Sequence, residues 1–234
     1  MLNEYFGEMV EVVTRHGGIL DKYIGDTIMA LFGAPFAKPE DADHALAVGN
    51  AMMVTLRALN DRRQAQGKQP IDIGIGIATG DVLAGSVGSP SRMKYTVMGD
   101  SVTLASRLEG ANKYYRTKIL LDETTVGALT NGSAGCLREI DLLRVKGKDG
   151  PVAVYESLGY LEPGPALEEA MDCFAAGLAA YRACDWDWAI QRFAAALELR
   201  PEDEPSRMYI ERCRHYREAP PPADWGGVWI LTDK

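Results

Sequence analysis

The sequence lacks an excess of basic charge and any apolar run long enough to cross a membrane. Its 25 Lys and Arg residues are outnumbered by 33 Asp and Glu residues, and the formal net charge is −8. This balance argues against a general nucleic-acid-binding protein, which usually carries a basic face. No apolar stretch approaches the roughly 18 residues of a membrane-spanning helix. The N-terminus has neither the basic segment nor the cleavage site of a signal peptide.

Cysteine and histidine are also scarce. The four cysteines form no C-x-x-C pair, and the three histidines do not lie at metal-ligand spacing, so a zinc site is not indicated. We expect reduced thiols in a cytosolic protein. The rest of the composition, 47% hydrophobic and 25% charged, is typical of a soluble globular protein. A length of 234 residues allows one main domain with an appendage.

The first 90 residues alternate between helical and strand-like patterns. Apolar residues at a 3.6-residue period predict a helix over residues 2–13. Two β-rich runs, 19–23 and 27–32, are separated by a Gly25-containing turn and predict a hairpin. A long amphipathic helix is expected over residues 39–65. Apolar residues alternate with period two over residues 71–78 (IDIGIGIA), which predicts a strand. Gly80-Asp81 predicts a turn back into residues 82–87, so that the two segments form a second hairpin.

The next 70 residues continue this alternation. A short strand over residues 92–98 precedes a helix that ends near residue 114, and Asp100 or Ser101 is the expected cap. Residues 118–121 predict a strand, and 122–124 open a short helix. A third hairpin is predicted from residues 137–145 and 152–158.

The pattern changes after residue 160. A Pro-Gly-Pro linker at 163–165 is followed by Ala-rich, purely helical sequence, and three prolines at 220–222 mark another break. We therefore expect an α+β domain over residues 1–160, a helical appendage over 161–217 and a tail over 218–234. Helices on one side of a largely antiparallel sheet describe the first part, and the ferredoxin-like arrangement is one such fold.

Three segments carry residues suited to chemistry. Asp26 at a tight hairpin turn suits a hard divalent cation, or it is ordinary turn chemistry. Lys22, four residues earlier, either faces solvent or points to a ligand. Thr103 and Arg107 share one helix face, where the guanidinium suits phosphate oxygens or belongs to a plain surface helix. Lys146 beside Gly147 makes a small positive loop, which either binds phosphate or is a solvated turn.

The glycines of residues 73–88 do not form a dinucleotide-binding fingerprint. They fall within predicted strands and hairpins and not at a strand-to-helix turn. We interpret them as a flat sheet surface that another element approaches closely. Such a surface is compatible with a dimer interface or with a nucleotide base lying against the sheet.

Four runs occur in an informative order: GGILDKYIGDTIMALFGAP, IGIATGDVLAGSVGS, YTVMGDSVTLASRLEGANKYYRTKILL and LLRVKGKDGPVAVYE. In order and spacing they closely resemble the catalytic domain of class III adenylate/guanylate cyclases, over nearly all of residues 1–160. The resemblance implies conversion of a nucleoside triphosphate to its 3′,5′-cyclic monophosphate and pyrophosphate, in cyclic nucleotide signalling. It also implies a head-to-tail homodimer with sites in the subunit interface. Two Mg²⁺ or Mn²⁺ ions per site, held by two aspartates, belong to the same pattern.

The resemblance assigns roles to five residues. Asp26 matches the second metal-binding aspartate. Lys22 and Thr96 match the pair of residues that recognises the purine base. In this family, Lys combined with Thr implies recognition of adenine, so ATP is favoured over GTP. Arg107 matches the arginine that stabilises charge on the α-phosphate, and Lys146 matches the lysine that contacts the triphosphate tail. By the family pattern, Asp26 of one subunit faces the other four residues from its partner.

The sequence departs from the family in two places. Thr103 stands where the family usually has an asparagine that orients the ribose. The family's first metal aspartate lies in an F-x-D-[IV]-x-G-F-[ST] strand, and no such motif precedes Asp26. We therefore expect an N-terminally truncated cyclase that lacks its first strand, with little or no activity by itself. The alternatives are a non-catalytic dimerisation or nucleotide-binding module and a guanylate cyclase.

The appendage is close to one tetratricopeptide repeat, with Phe174, Gly177, Leu178 and Tyr181 on its first helix. A single repeat rarely stands alone, so we expect it to pack on the cyclase domain or on a protein partner. A plain helical hairpin is the alternative. The tail resembles that of bacterial cyclases with a membrane-anchored sensor, which would make this chain a cytoplasmic part of such a protein.

Overall fold

The computed structural model describes residues 1–89, 92–130, 136–144, 150–222 and 225–227. Helices and strands alternate through the first two thirds of these residues, and three helices follow. The elements are α1 (Leu2–Arg15), β1 (Ile19–Ile24), β2 (Thr27–Leu31), α2 (Asp41–Ala65), β3 (Ile75–Ile77), β4 (Leu83–Ser89), β5 (Arg92–Met98), α3 (Asp100–Tyr115), β6 (Ile119–Asp122), α4 (Glu123–Ala128), β7 (Leu137–Arg144), β8 (Pro151–Ser157), α5 (Pro165–Arg182), α6 (Trp186–Leu199) and α7 (Glu204–Glu218).

The strands form one four-stranded sheet and two separate hairpins. The larger sheet has the order β3-β6-β8-β7, in which only the β3–β6 pair is parallel. The hairpins are β1–β2 and β4–β5. The expected α+β class is confirmed, and the first and third predicted hairpins form as β1–β2 and β7–β8.

The second predicted hairpin is wrong. Strand β3 covers only residues 75–77 and pairs in parallel with β6, with Ile75 opposite Ile119. Strand β4 pairs instead with β5, with Leu83 opposite Met98. The physical reason is burial: Ile119 and Leu121 are fully buried, and the isoleucines of β3 pack against them. The alternating apolar residues of β3 are thus buried against β6, which is distant in the chain, and not against β4, which follows it.

The predicted cap of α3 is also wrong, because neither Asp100 nor Ser101 caps the helix. The N-cap is Gly99, and no side chain makes a cap hydrogen bond. A Cβ atom on Gly99 would lie 2.8 Å from the carbonyl oxygen of Asp81, so the backbone runs too close there for any side chain. Asp122, by contrast, does cap α4, since its carboxylate accepts from the Thr125 amide at 3.1 Å.

The C-terminal helices share a core with the sheet. Phe174 of α5, Phe193 of α6 and Tyr209 of α7 are fully buried in the same apolar cluster as Leu108 of α3 and Ile140 of β7. Helices α1 and α2 form a second cluster with the β1–β2 hairpin. Among the described residues, no helix is long and apolar enough to cross a membrane.

Candidate active site

The β1–β2 hairpin and the β4–β5 hairpin bring three polar side chains together. Lys22 Nζ donates to Thr96 Oγ1, and it lies 2.9 Å from the carboxylate of Asp21. Thr96 Oγ1 in turn donates to Asp21 Oδ2 at 3.5 Å. The Asp21 side chain is 5% exposed and that of Lys22 21%. The two residues that the resemblance assigns to purine recognition are therefore in direct contact, although they are 74 positions apart.

Asp21 is a member of this group that sequence reasoning missed. The pairing of β1 with β2 is regular up to Leu20 and resumes at Lys22, so Asp21 is the extra residue of a β-bulge. In a regular strand, neighbouring side chains point to opposite faces. The sequence carries no signal for a bulge, and regular alternation would place Asp21 and Lys22 on different faces.

Asp26 lies at the turn of the β1–β2 hairpin and is exposed. The preceding Gly25 has φ of +65°, a conformation that suits glycine at such a turn. The charge of Asp26 reaches Tyr5 of α1: burial first, and then this carboxylate, raise the pKa of Tyr5. The turn thus presents its carboxylate at the surface next to the first helix.

A divalent metal site is not complete in the described residues. In this part of the chain, no group of three or more His, Cys, Asp or Glu side chains is arranged so that it could hold a metal ion. Asp26 offers a single carboxylate, whereas Mg²⁺ and similar cations take several oxygen ligands. The residues of one chain that the structure describes therefore do not fit a two-metal centre.

Helix α3 carries Thr103 and Arg107 on one exposed face. The helix lies tightly against β3 at Gly76, where a Cβ atom would be 2.1 Å from the Ala105 carbonyl oxygen. Further along, the Asn112 side-chain amide donates to the Ile75 carbonyl at 3.0 Å. The predicted close approach to the glycine-rich strand is confirmed at Gly76, and the approaching element is the helix that carries Arg107.

Lys146 lies outside the described residues. The other residues selected from the sequence are placed on three elements: Lys22 and Asp26 on or next to β1, Thr96 on β5, and Thr103 and Arg107 on α3. Of these, Lys22 and Thr96 contact each other.

Both hairpins also expose apolar side chains. On β1–β2, Ile24 is 57% exposed, and on β4–β5, Leu83 is 70% and Met93 57% exposed. Tyr23 and Val87 add to this surface. Several large exposed apolar residues on neighbouring hairpins are typical of a protein–protein interface.

Comparisons with known proteins decide the family. The model of the adenylate and guanylate cyclase catalytic domain matches residues 1–157. The chain belongs to this family. An adenylate cyclase of Dictyostelium discoideum, described as terminal-differentiation specific, is 33% identical over 219 residues, which are 91% of this chain and 10% of that protein. This match is long enough to include part of α5–α7 as well as cyclase sequence.

Two solved cyclase structures resemble the chain. The adenylyl cyclase CyaB from P. aeruginosa is 32% identical, with a TM-score of 0.60 over 70% of this chain and 81% of that one. A guanylyl cyclase is 40% identical, with a TM-score of 0.57 over 69% of this chain and 80% of that one. The cyclase chain spans 10–31% of the length of the first curated relatives that it matches.

Proposed function

We propose that this cyclase domain serves an adenylate cyclase, which converts ATP to 3′,5′-cyclic AMP and pyrophosphate. Relatives named for either nucleotide are similar to it, so family membership does not decide the base. The observation that carries the proposal is the contact between Lys22 and Thr96. A lysine ammonium donates only, and a threonine hydroxyl also accepts, which together suit the N1 acceptor and the 6-amino donor of adenine.

The reaction joins the ribose 3′-oxygen to the α-phosphorus and breaks the bond to the β-phosphate oxygen. Pyrophosphate leaves, and the proton of the 3′-hydroxyl passes to water. Arg107 is the proposed partner of the α-phosphate oxygens, because its planar guanidinium stabilises the charge that develops there. Thr103, one turn earlier on α3, is proposed to contact the ribose, and Lys146 the triphosphate tail.

A head-to-tail homodimer is proposed to complete each site. The exposed apolar side chains of the two hairpins, Ile24, Leu83 and Met93 among them, would be buried in such a dimer. A symmetric dimer has two equivalent composite sites, in which Asp26 of one subunit faces Lys22, Thr96, Arg107 and Lys146 of the other.

Mg²⁺ or Mn²⁺ is the proposed cofactor, with Asp26 as one ligand. A bound ion would lower the pKa of the attacking hydroxyl and would offset the charge of the triphosphate. Because the sequence carries no F-x-D-[IV]-x-G-F-[ST] motif, a second aspartate for the metals is not identified. We therefore propose that the 234-residue chain by itself binds ATP and turns it over slowly or not at all.

The division into a cyclase domain at 1–160, an appendage at 161–217 and a tail at 218–234 stays a proposal, as does the tetratricopeptide-like nature of the appendage. It is supported at the crossing of α5 and α6, where a Cβ atom on Gly177 would lie 2.8 Å from the ring of Phe193. A small residue where two helices cross is typical of such repeats. We propose that the appendage is also the part that binds a protein partner.

The test is a measurement of the dissociation constants of ATP and GTP with Mn²⁺, at protein concentrations where the dimer forms. We expect ATP to bind at least about 10-fold more tightly than GTP, a difference of about 1.4 kcal/mol. Lys22→Ala and Thr96→Ala should abolish the preference. Lys118→Ala, which removes an exposed lysine paired with Asp72, is the matched control and should keep it.

The outcomes separate the candidate functions. Tighter binding of GTP would identify a guanylate cyclase and contradict the roles given to Lys22 and Thr96. Binding of neither nucleotide would favour the non-catalytic dimerisation module.

A further inference from the structure

We propose that Asp21 determines which purine the site accepts, by fixing the hydroxyl hydrogen of Thr96. This inference rests on the proposed function, because it concerns the same base-reading pair. Asp21 is a positioning residue: it acts on the base through the hydroxyl of Thr96. Its role follows from the bulge, the burial of its carboxylate and the hydrogen-bonding capacity of the three side chains.

The β-bulge places Asp21 and Lys22 on the same side of the strand. Pairing with β2 slips by one residue between Leu20 and Lys22. A bulge re-aims side chains locally, so two consecutive residues can point to one target. That target is Thr96 on β5, which contacts both of them. Without the bulge, Asp21 would face away from the group that Lys22 joins.

The carboxylate of Asp21 fixes the direction of the Thr96 hydrogen. The Asp21 side chain is 5% exposed, so its oxygens depend on protein partners. An ionised carboxylate only accepts hydrogen bonds. In the contact between Thr96 Oγ1 and Asp21 Oδ2, at 3.5 Å, the hydroxyl must therefore be the donor. Because a hydroxyl has one hydrogen, Thr96 has no other to give to a ligand.

After these mutual contacts, Lys22 and Thr96 keep one hydrogen-bond donor and one acceptor for the base. Lys22 has three N–H donors; one faces Asp21 and one Thr96, so one remains. Thr96 has two lone pairs; one accepts from Lys22, so one remains. The cluster thus presents one donor and one acceptor, in a fixed order. A threonine without Asp21 would rotate freely and present either role.

A donor on Lys22 beside an acceptor on Thr96 is complementary to the edge of adenine and not to that of guanine. The edge of adenine has an acceptor at N1 beside a donor amino group at position 6, whereas guanine has a donor at N1 beside an acceptor oxygen at position 6. With Lys22 opposite N1 and Thr96 opposite position 6, guanine would set donor against donor and acceptor against acceptor. Each mismatch leaves polar groups unpaired, which costs binding free energy. A site built this way rejects the wrong analogue strongly.

The experiment compares Asp21→Asn with the unmodified chain. Asparagine has nearly the same shape, but its amide donates to Thr96 Oγ1 and releases the hydroxyl hydrogen towards the base. We expect the ratio of GTP to ATP dissociation constants to fall by at least about 10-fold, chiefly because GTP binds more tightly. Asp21→Glu keeps an acceptor-only group and should preserve the ATP preference. Asp72→Asn, in the exposed pair with Lys118, is the control and should change nothing.

A double-variant cycle tests whether Asp21 acts through the hydroxyl. Thr96→Val removes it, and in that background Asp21→Asn should leave the nucleotide ratio unchanged. An equal effect with and without the Thr96 hydroxyl would overturn the inference, as would an unchanged ratio in Asp21→Asn.

If Asp21→Asn does not fold, judged by its circular dichroism, Asp21→Ala supplies the comparison and should also weaken the preference for ATP. The inference alone fails if ATP is preferred and Asp21 does not matter; the proposed function fails with it if neither nucleotide binds.

Discussion

Arg138 of β7 holds together three elements from different parts of the chain. Its guanidinium donates to Glu156 of β8 at 2.7 Å and to Asp203 at 2.5 Å, and it lies 4.4 Å from the ring centroid of Phe174. All three charged side chains are at most 5% exposed. Burial raises the pKa of Glu156 in spite of Arg138. Burial also acts to raise the pKa of Asp203, but the charge and hydrogen bond of Arg138, with the Ser206 hydrogen bond and the charge of Arg200, together outweigh it, and the pKa of Asp203 is lowered. Because Asp203 also caps α7, this cluster links the sheet to the last helix.

Replacing Arg138 should therefore be costly. Arg138→Ala leaves two buried carboxylates without their shared cation, and Arg200, at 3.5 Å, contacts only Asp203 of the two. We expect the free energy of unfolding to fall by about 3–5 kcal/mol in urea titrations. Arg116→Ala, which removes a 71% exposed arginine paired with Glu204, should cost less than about 1 kcal/mol. Similar losses in the two variants would contradict this account.

At the scale of elements, the position of α3 depends on a glycine in a neighbouring strand. Gly76 of β3 lets the backbone of α3 approach at Ala105 and Glu109, where a Cβ atom would lie at 2.1 and 2.4 Å. Both obstacles are backbone atoms, so no side-chain rotation relieves the clash. Since Arg107 lies between these two residues, the packing of β3 on α3 sets the place of the proposed phosphate contact.

Gly76→Ala should displace α3 and impair both folding and nucleotide binding. We expect a loss of about 1–3 kcal/mol in stability, as for other overpacked sites, and weaker ATP binding because Arg107 moves with the helix. Gly127→Ala in α4 is the control, because a Cβ atom there has no atom within 4 Å. Melting temperatures and ATP dissociation constants of the two variants provide the measurement. A Gly76→Ala protein as stable as the control would show that α3 does not depend on this contact.

The limits of sequence reasoning follow from the range of each interaction. The β1–β2 and β7–β8 hairpins were predictable because each pair of strands is adjacent in the chain. The β3–β6 pair was not, because 41 residues separate Ile77 from Ile119 and burial selects the partner. Likewise, the resemblance named Lys22 and Thr96, but the bulge that adds Asp21 to them depends on pairing between strands.

At the scale of the whole molecule, the C-terminal helices and the sheet form one packed structure. The core cluster that contains Phe174 and Tyr209 also contains Leu108 and Ile140. Buried polar contacts cross the same boundary: Arg212 of α7 donates to Asp141 of β7 at 2.7 Å, and Tyr209 Oη donates to the Ile140 carbonyl at 2.7 Å. Removing α5–α7 would uncover this core, so the appendage stabilises the part of the fold that carries α3.

This packing predicts one cooperative unfolding transition. All four tryptophans lie beyond residue 185, so tryptophan fluorescence reports on the C-terminal part, whereas far-ultraviolet circular dichroism reports on the whole chain. We expect the two urea transitions to coincide, as for a two-state domain. Arg138→Ala should shift both midpoints together. A fluorescence transition at clearly lower urea would show that α5–α7 unfold independently of the sheet.

The sequence alone determined the alternation of helices and strands, the α+β class and the order of cyclase motifs, because these depend on local periodicity and on residue identity at fixed spacings. The family resemblance of these motifs also predicted that Lys22, Thr96 and Arg107 contact the nucleotide. Tertiary structure alone decided the partners of β3 and β4, the packing of α3 on Gly76 and the shared core of the helices and sheet. It also decided that a buried carboxylate at Asp21 joins Lys22 and Thr96, since a one-residue slip between two strands re-aims a side chain without leaving a trace in the sequence pattern.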